Sequence, residues 1–194
     1  DADHSTGLVD VFKNYKVDKL LINPIDPGTS VYQALRNAVG GGGTEVINPI
    51  VGMKLGSGLI YLDILSPTDG MFTKLTIKKE NDSFSRYSIS DNTNFYSVVY
   101  RLKFNNFTAL MPGDIPPEVS DSLSQNWAAG SVDYIKIPHH GSINGITENL
   151  VKATMPKIAV ISVGKNNWGF PKPEILSLLA KYNVRVLRTD RMGE

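Results

Sequence analysis

The second half of the sequence alternates helix-like and strand-like segments, and this alternation limits the fold more than any other feature. The helix-like segments carry apolar residues at helical spacing, whereas the apolar segments between and after them are rich in β-branched residues. The helix-like segments are 116–126, 147–154 and 173–182, and the strand-like ones are 132–138, 157–163 and 184–187. Strands separated by helices are typical of a parallel sheet covered by helices. The sequence therefore predicts an α/β fold.

The first half adds helix–strand pairs and a central hairpin. The Asn105-Asn106 pair separates two strand-like runs and is typical of a tight hairpin turn. The polar stretch near 69–93 is interpreted as a surface insertion. A β-rich middle flanked by βα units favours a layered sandwich with outer helices over a uniform doubly wound sheet. A length of 194 residues with 41% hydrophobic content predicts one domain over 1–194.

The composition excludes several classes of binding and catalytic site. The 20 basic and 19 acidic residues give a net charge of +1, so any contact with nucleic acid must be local. The absence of cysteine excludes thiolate metal sites, disulfides and thiol catalysis. No apolar run approaches the roughly 20 residues of a spanning helix, so no transmembrane segment is predicted in this chain. Because the sequence opens without Met and stops after a strand-like segment, we expect a fragment, truncated at both ends.

The three histidines occur in two places. His4 ends the motif DADH, in which Asp1, Asp3 and His4 offer up to three metal ligands. In an extended loop Asp1 and Asp3 face the same side. The alternative is a helix cap with a solvated neighbour. Both interpretations stay open on these four residues alone.

The other two histidines, His139 and His140, follow a strand in the motif PHHGS. Consecutive imidazoles beside Gly and Ser suit a metal site, although a surface loop whose histidines merely titrate is the alternative. Asp114 follows the apolar run FTALM and a Pro-Gly pair, at a strand end where site carboxylates are common. An isolated Gly-Asp is more often a plain turn.

Taken in order, these motifs resemble the soluble C-terminal domain of ComEC-type competence and DNA internalisation proteins. The motifs are DADHSTG, Asn94 with Ser97, LMPGD, IPHHGS and ISVGKNNWGFPKPEIL, and they span nearly the whole chain. The resemblance implies a metallo-β-lactamase-like, four-layered αββα sandwich with a metal site at the sheet edges. It also implies an activity that degrades the DNA strand not taken up.

The resemblance further implies a set of site residues. The metal ligands are Asp1, Asp3, His4, Asp114 as a bridging carboxylate, and His139. The catalytic residues are Asp3, Asp114 and His140. The substrate-binding residues are Ser142, Lys165, Asn166 and Asn167, with Lys165 holding a phosphate as a point charge. Asp1 occupies a position that is histidine in many relatives. Two departures stand against the resemblance. The upstream hairpin and the residues just before DADH, which carry another part of the usual ligand set, are absent from this chain, and Phe170 stands where many relatives have histidine.

The resulting prediction is a metal-dependent phosphodiesterase or nuclease in which a metal-activated hydroxide attacks DNA. Oxygen-rich ligands favour Mn²⁺ or Mg²⁺, with Zn²⁺ as the alternative, and two ions are expected in the intact domain. By resemblance the partners are DNA and a membrane channel part of the same protein, on the extracellular or periplasmic side of a bacterial cytoplasmic membrane. The alternatives are a hydrolase of small substrates with a closed pocket, and a catalytically silent module that binds DNA or a partner. Trp127, Tyr134 and Trp168 suit a groove, although aromatic residues more often pack in a core.

Overall fold

The computed structural model describes residues 2–89 and 92–192, except for the side chains of Ala2 and Asp3. The chain divides into two compact units, which are named here the N-terminal unit (Asp1–Ile50 with Pro67–Thr93) and the C-terminal unit (Val51–Ser66 with Asn94–Glu194). None of the described helices is long and apolar enough to cross a bilayer.

The helices and strands follow each other along the chain with short connections. In chain order they are α1 (Ala2–Asn14), β1 (Lys19–Leu21), β2 (Ile25–Asp26), α2 (Ser30–Gly40), β3 (Glu45–Ile47), β4 (Lys54–Ser57), β5 (Ile60–Ser66), α3 (Asp69–Phe72), β6 (Thr76–Ile77), β7 (Tyr87–Ser88), β8 (Val99–Phe104), β9 (Phe107–Met111), α4 (Pro117–Gln125), β10 (Tyr134–Lys136), α5 (Glu148–Thr154), β11 (Ile158–Ile161), α6 (Pro173–Lys181), β12 (Arg185–Arg188) and α7 (Thr189–Met192). Short 3₁₀ turns span Thr93–Tyr96 and Pro138–Gly141.

The C-terminal unit is built on a seven-stranded sheet with the order β12-β11-β10-β9-β8-β5-β4. Strands β9 to β12 are parallel, and α4, α5 and α6 connect them in turn. Leu110, Ile135 and Ile161 on the parallel strands are fully buried, which agrees with the apolar runs seen in the sequence. The predicted alternation of helices and strands is confirmed, and the parallel strands bring their carboxyl ends to one edge of the sheet.

Antiparallel strands β8, β5 and β4 extend this sheet beyond β9. The predicted hairpin joins β8 to β9, with Phe104 opposite Phe107 and Asn105 in the left-handed region at φ 50°. The structure thus confirms a mixed α/β protein with one large sheet. The four-layered αββα arrangement stays a prediction.

The N-terminal unit has its own core between helices and short strands. Helix α2 begins after Thr29, whose hydroxyl accepts a hydrogen bond from the Tyr32 N–H, and it buries Tyr32, Leu35 and Val39. Phe84 belongs to this core: its ring packs edge-on against Tyr32 at 6.0 Å between centroids. The stretch near 69–93, interpreted as a surface insertion, therefore also supplies core contacts that its polar sequence does not reveal.

Helix α1 corrects the interpretation of the DADH motif as an extended loop for its residues from Ala2 onward. The helix already begins at Ala2, and His4 lies in its first turn.

Candidate metal centre

Asp114 lies just beyond the carboxyl end of β9, in the turn that the sequence singled out. Gly113 has φ 64°, and a Cβ added there would lie 3.1 Å from the Ser97 Cβ, so the turn requires glycine. Asp114 is only 3% exposed. Its Oδ1 accepts hydrogen bonds from the Lys136 ammonium at 3.2 Å and from the His139 backbone N–H at 3.1 Å.

The PHHG turn holds three successive residues in the left-handed region. The φ angles are 50° at His139, 54° at His140 and 82° at Gly141. Such angles are costly for residues other than glycine, and they persist only where surrounding contacts impose them. A Cβ at Gly141 would lie 2.5 Å from the Pro171 Cβ, and the Gly141 carbonyl accepts a hydrogen bond from the Lys172 N–H at 2.9 Å. The turn is therefore fixed by the loop before α6.

The imidazole of His140 faces Asp114. Its Nδ1 lies 2.7 Å from the Ser162 carbonyl oxygen, which can only accept, so Nδ1 carries a proton and donates. Its Nε2 lies 3.6 Å from Asp114 Oδ2. In the neutral ring this places a nitrogen lone pair opposite a carboxylate oxygen, an arrangement that a cation between them stabilises. In the doubly protonated ring the same contact is an ion pair.

The separation of these two atoms fits a shared ion. Ligand bonds of about 2.0–2.2 Å at tetrahedral angles put two ligand atoms about 3.4 Å apart. The Nδ1–H bond to Ser162 is the support that metal-binding histidines usually have. Asp114, His140 and Ser162 follow β9, β10 and β11, three adjacent parallel strands. The residues of this edge therefore suit a divalent cation.

The backbone N–H of His139 binds Asp114, whereas its ring contacts other residues. Its Nδ1 lies 3.4 Å from the Asn144 carbonyl oxygen, and its ring meets the Phe170 ring edge-on at 6.0 Å between centroids. The sequence resemblance assigned the metal to His139 and catalysis to His140, whereas the structure turns the His140 ring toward Asp114. The assignment of His139 as a ligand stays a prediction.

Lys136 is the site residue that the sequence analysis missed. Its side chain is 13% exposed and pairs with Asp114 Oδ1 at 3.2 Å. It lies on β10 between the fully buried Ile135 and Ile137. A lysine inside the apolar run VDYIKIP was the available signal, because a buried ammonium needs a carboxylate partner.

The predicted substrate-binding residues have different surroundings. Ser142 is buried, and its hydroxyl accepts a hydrogen bond from the Asn144 N–H at 3.1 Å. The Asn166 carboxamide binds the backbone of Gly164 and Phe170, so it shapes its own loop. Lys165 and Asn167 are exposed in that loop.

The predicted ligands of the DADH motif belong to the N-terminal unit. Asp1 lies outside the described residues, and so does the Asp3 side chain. His4 is exposed on α1. Their assignment to the metal stays a prediction from the resemblance.

Two solved structures resemble this chain over most of its length. The CmlA β-hydroxylase E377D mutant matches with a TM-score of 0.50 and 12% identity, over 89% of this chain and 43% of that protein. CmlA, a diiron β-hydroxylase from Streptomyces venezuelae, gives a TM-score of 0.48 with 12% identity, over 86% of this chain and 38% of that protein. At this identity the first likeness shows a shared fold and nothing more.

Two curated relatives match about half of the chain. ComE operon protein 3 of Bacillus subtilis (strain 168) is 33% identical over 98 residues, which are 50% of this chain and 13% of that protein. Recombination protein 2 of Haemophilus influenzae (strain ATCC 51907 / DSM 11121 / KW20 / Rd) is 28% identical over 102 residues, which are 52% of this chain and 13% of that protein. No protein-family description matches the chain. The name of the first relative agrees in part with the resemblance found in the motifs.

Proposed function

We propose that this chain is a divalent-metal-dependent phosphodiesterase that cleaves DNA in a bacterial uptake machine. The observation that carries the proposal is the pair formed by Asp114 Oδ2 and His140 Nε2, 3.6 Å apart at the carboxyl ends of adjacent parallel strands. The resemblance in motif order and the two competence-related relatives support DNA as the substrate. We place the chain in a larger membrane protein, on the outer side of the membrane, by the same resemblance.

The chain's own residues prepare the site for the ion. A bound divalent ion would supply Lewis acidity that activates water and stabilises charge on phosphoryl oxygens. Asp114 and His140 would hold it, and the Ser162 carbonyl keeps the His140 Nε2 lone pair directed at Asp114. Lys136 and the His139 N–H keep the carboxylate in place. We propose Mn²⁺ before Zn²⁺ because the ligands predicted for this site are largely carboxylates.

Incubation of the chain with end-labelled single- and double-stranded DNA tests the proposal. We expect cleavage with Mn²⁺, none with chelator, and loss of at least about a hundredfold in rate in Asp114→Asn and His140→Asn. Asp133→Asn is the matched control, because Asp133 also pairs with a lysine on this sheet but lies at the amino end of β10. A folded chain that binds Mn²⁺ and leaves DNA intact would refute the nuclease and favour a small substrate.

Metal binding itself gives a readout that does not depend on activity. Mn²⁺ is expected to raise the melting temperature of the wild type and of Asp133→Asn, but not of His140→Asn. The resemblance also predicts that His4→Ala weakens Mn²⁺ binding about tenfold or more. An unchanged affinity in His4→Ala would remove His4 from the ligand set and leave Asp114 and His140 in it.

A catalytically silent module is the second candidate, and one observation favours it. Lys136 already neutralises Asp114, so the buried carboxylate is satisfied without any metal. The resemblance, which predicts histidine at the position of Phe170, supports the same alternative. Under this alternative Mn²⁺ would not change the melting temperature, and the Asp114–His140 contact would be a structural ion pair.

A further inference from the structure

The loop between β11 and α6 presents an aromatic pair together with basic side chains. Trp168 is 71% exposed, and its ring stacks on Phe170 with 6.2 Å between centroids and 25° between planes. The Lys172 ammonium lies 5.6 Å from the centre of the Phe170 ring. Lys165 is exposed in the same loop. A tryptophan with most of its surface in water needs an explanation other than core packing.

Hydrogen bonds hold this loop in one conformation. The Asn166 carboxamide donates to the carbonyl oxygens of Gly164 and Phe170, and it accepts from the Phe170 N–H at 2.9 Å. The Lys172 ammonium donates to the Trp168 carbonyl oxygen at 2.7 Å. The aromatic pair is therefore positioned before any ligand arrives, which lowers the entropy cost of binding.

The same loop is joined to the turn that carries His140. The Lys172 N–H donates to the Gly141 carbonyl oxygen at 2.9 Å, and Pro171 packs where a Gly141 side chain would be. The Phe170 ring contacts the His139 ring at 6.0 Å between centroids. Only two ring contacts thus separate Trp168 from His139, the neighbour of the histidine that faces Asp114.

We propose that Trp168 and Phe170 form a stacking platform for an unpaired base of single-stranded DNA, with Lys165 binding a neighbouring phosphate. The proposal rests on the phosphodiesterase function above and names its substrate class. Aromatic faces bind bases of any sequence by stacking, and cations beside them bind the backbone. No ion pair between described residues involves Lys165 or Lys172. The Lys172 ammonium already donates to the Trp168 carbonyl oxygen, so Lys165 is the cation that remains available to a phosphate. In a duplex the internal bases already stack on each other, so the platform favours single strands.

Tryptophan fluorescence isolates the platform, because the chain has only two tryptophans. In Trp127→Phe, Trp168 is the sole tryptophan, and its emission is expected to fall on titration with an unlabelled oligothymidine in chelator. A blunt duplex of equal length at equal phosphate concentration is expected to quench it much less. The single variant Trp168→Phe is the matched control, because its sole tryptophan is then Trp127, whose indole N–H donates to the Gly130 carbonyl oxygen. Its emission is expected to change little on the same titration. The double variant Trp127→Phe with Trp168→Phe gives the background.

Affinity measured by anisotropy of a labelled oligonucleotide then tests the contribution of the ring. Trp168→Ala is expected to bind about 5- to 100-fold more weakly than wild type. Trp168→Phe is expected to recover most of that loss, whereas Trp168→Leu, apolar but without an aromatic face, is not. Chelator is present throughout, so these measurements do not depend on cleavage.

The outcomes separate this inference from the function on which it rests. Equal affinity in wild type and Trp168→Ala, or recovery by leucine as complete as by phenylalanine, overturns the platform even if metal-dependent cleavage is observed. Quenching and aromatic-specific binding without any metal-dependent cleavage support the platform and overturn the phosphodiesterase. Equal quenching by duplex and single strand overturns the preference for unpaired bases.

Discussion

In the proposed metal site, Lys136 and a divalent ion would compete for the same carboxylate, that of Asp114. Its ammonium lies 3.2 Å from Asp114 Oδ1, in a position where both groups are nearly buried. Like charges in such surroundings repel strongly, because the effective dielectric constant is far below that of water. Substitution by methionine removes the repulsion, while the His139 N–H still holds Asp114.

We therefore predict that Lys136→Met binds Mn²⁺ at least about tenfold more tightly than wild type, which is about 1.4 kcal/mol. Lys136→Arg keeps the charge and is expected to bind as wild type does. Isothermal titration calorimetry measures both affinities. Weaker binding by Lys136→Met would mean that orienting Asp114 matters more than charge competition.

A substitution at Gly141 tests whether the backbone of the PHHG turn is left-handed at this position. Its φ of 82° disfavours any side chain, and a Cβ there would overlap Pro171 at 2.5 Å. We predict that Gly141→Ala lowers the free energy of unfolding by about 2–5 kcal/mol, from backbone strain and steric overlap together. Urea unfolding measures the change. Gly164→Ala is the control, since nothing lies within 4 Å of its added Cβ and the change should stay within about 0.5 kcal/mol.

The sequence predicted which motifs form the candidate site, but it did not predict which imidazole faces Asp114 or that Lys136 pairs with it. Asp114 and the paired histidines were found because a Gly-Asp turn and PHHGS follow apolar strands. Which imidazole turns toward Asp114 depends on two consecutive left-handed residues, and no local pattern specifies that conformation. Lys136 was missed because a lysine in a strand usually faces solvent, and only the fold shows its carboxylate partner.

At the scale of elements, the sequence predicted the parallel part of the large sheet closely. The helix predicted over 173–182 is α6, Pro173–Lys181, and the strand predicted over 157–163 contains β11. Local periodicity suffices there because each element buries one face. Strand β4, KLGS, escaped prediction because its polar and glycine residues become a strand only by pairing with β5. The burial of Phe84 likewise depends on contacts distant in sequence.

Glu148 links α5 to α6 and gives the fold a measurable pH dependence. The ammonium of Lys181, then the hydroxyl of Tyr182 and the ammonium of Lys152, lower the pKa of Glu148 from 4.5 to about 2. A carboxyl whose pKa is lowered by folding stabilises the folded state above its unfolded pKa. That contribution is lost as pH falls from about 4.5 toward about 2.

We predict that Glu148→Gln is less stable than wild type at neutral pH and that the difference shrinks as pH falls through this window. Urea unfolding midpoints measured at intervals from pH 6 down to about 2.5 test this, where the chain remains folded. Glu174→Gln on α6 is the control, because Glu174 has no ion pair among the described residues. A constant difference between Glu148→Gln and wild type at every pH would contradict the linkage.

At the scale of the whole molecule, the charge is nearly balanced, and this limits how DNA can be held. A net charge of +1 provides no general attraction, so affinity must come from a few local cations and from stacking. For single strands the logarithm of the binding constant falls by about 0.7 per phosphate neutralised for each unit rise in log salt. With Lys165 and Lys172 as the local cations, the slope is expected between about −0.7 and −2.

Anisotropy titrations over a range of salt concentrations, in chelator, measure this slope. Lys165→Gln is expected to make it shallower by about 0.7, since one phosphate contact is lost. Trp168→Ala is expected to weaken binding at every salt concentration and to leave the slope unchanged, because stacking releases no counterions. Together the two variants distinguish the contribution of charge to DNA affinity from the contribution of stacking. A wild-type slope steeper than about −4 would show that many more cations contact the strand than this loop supplies, and the binding surface would then extend well beyond residues 164–172.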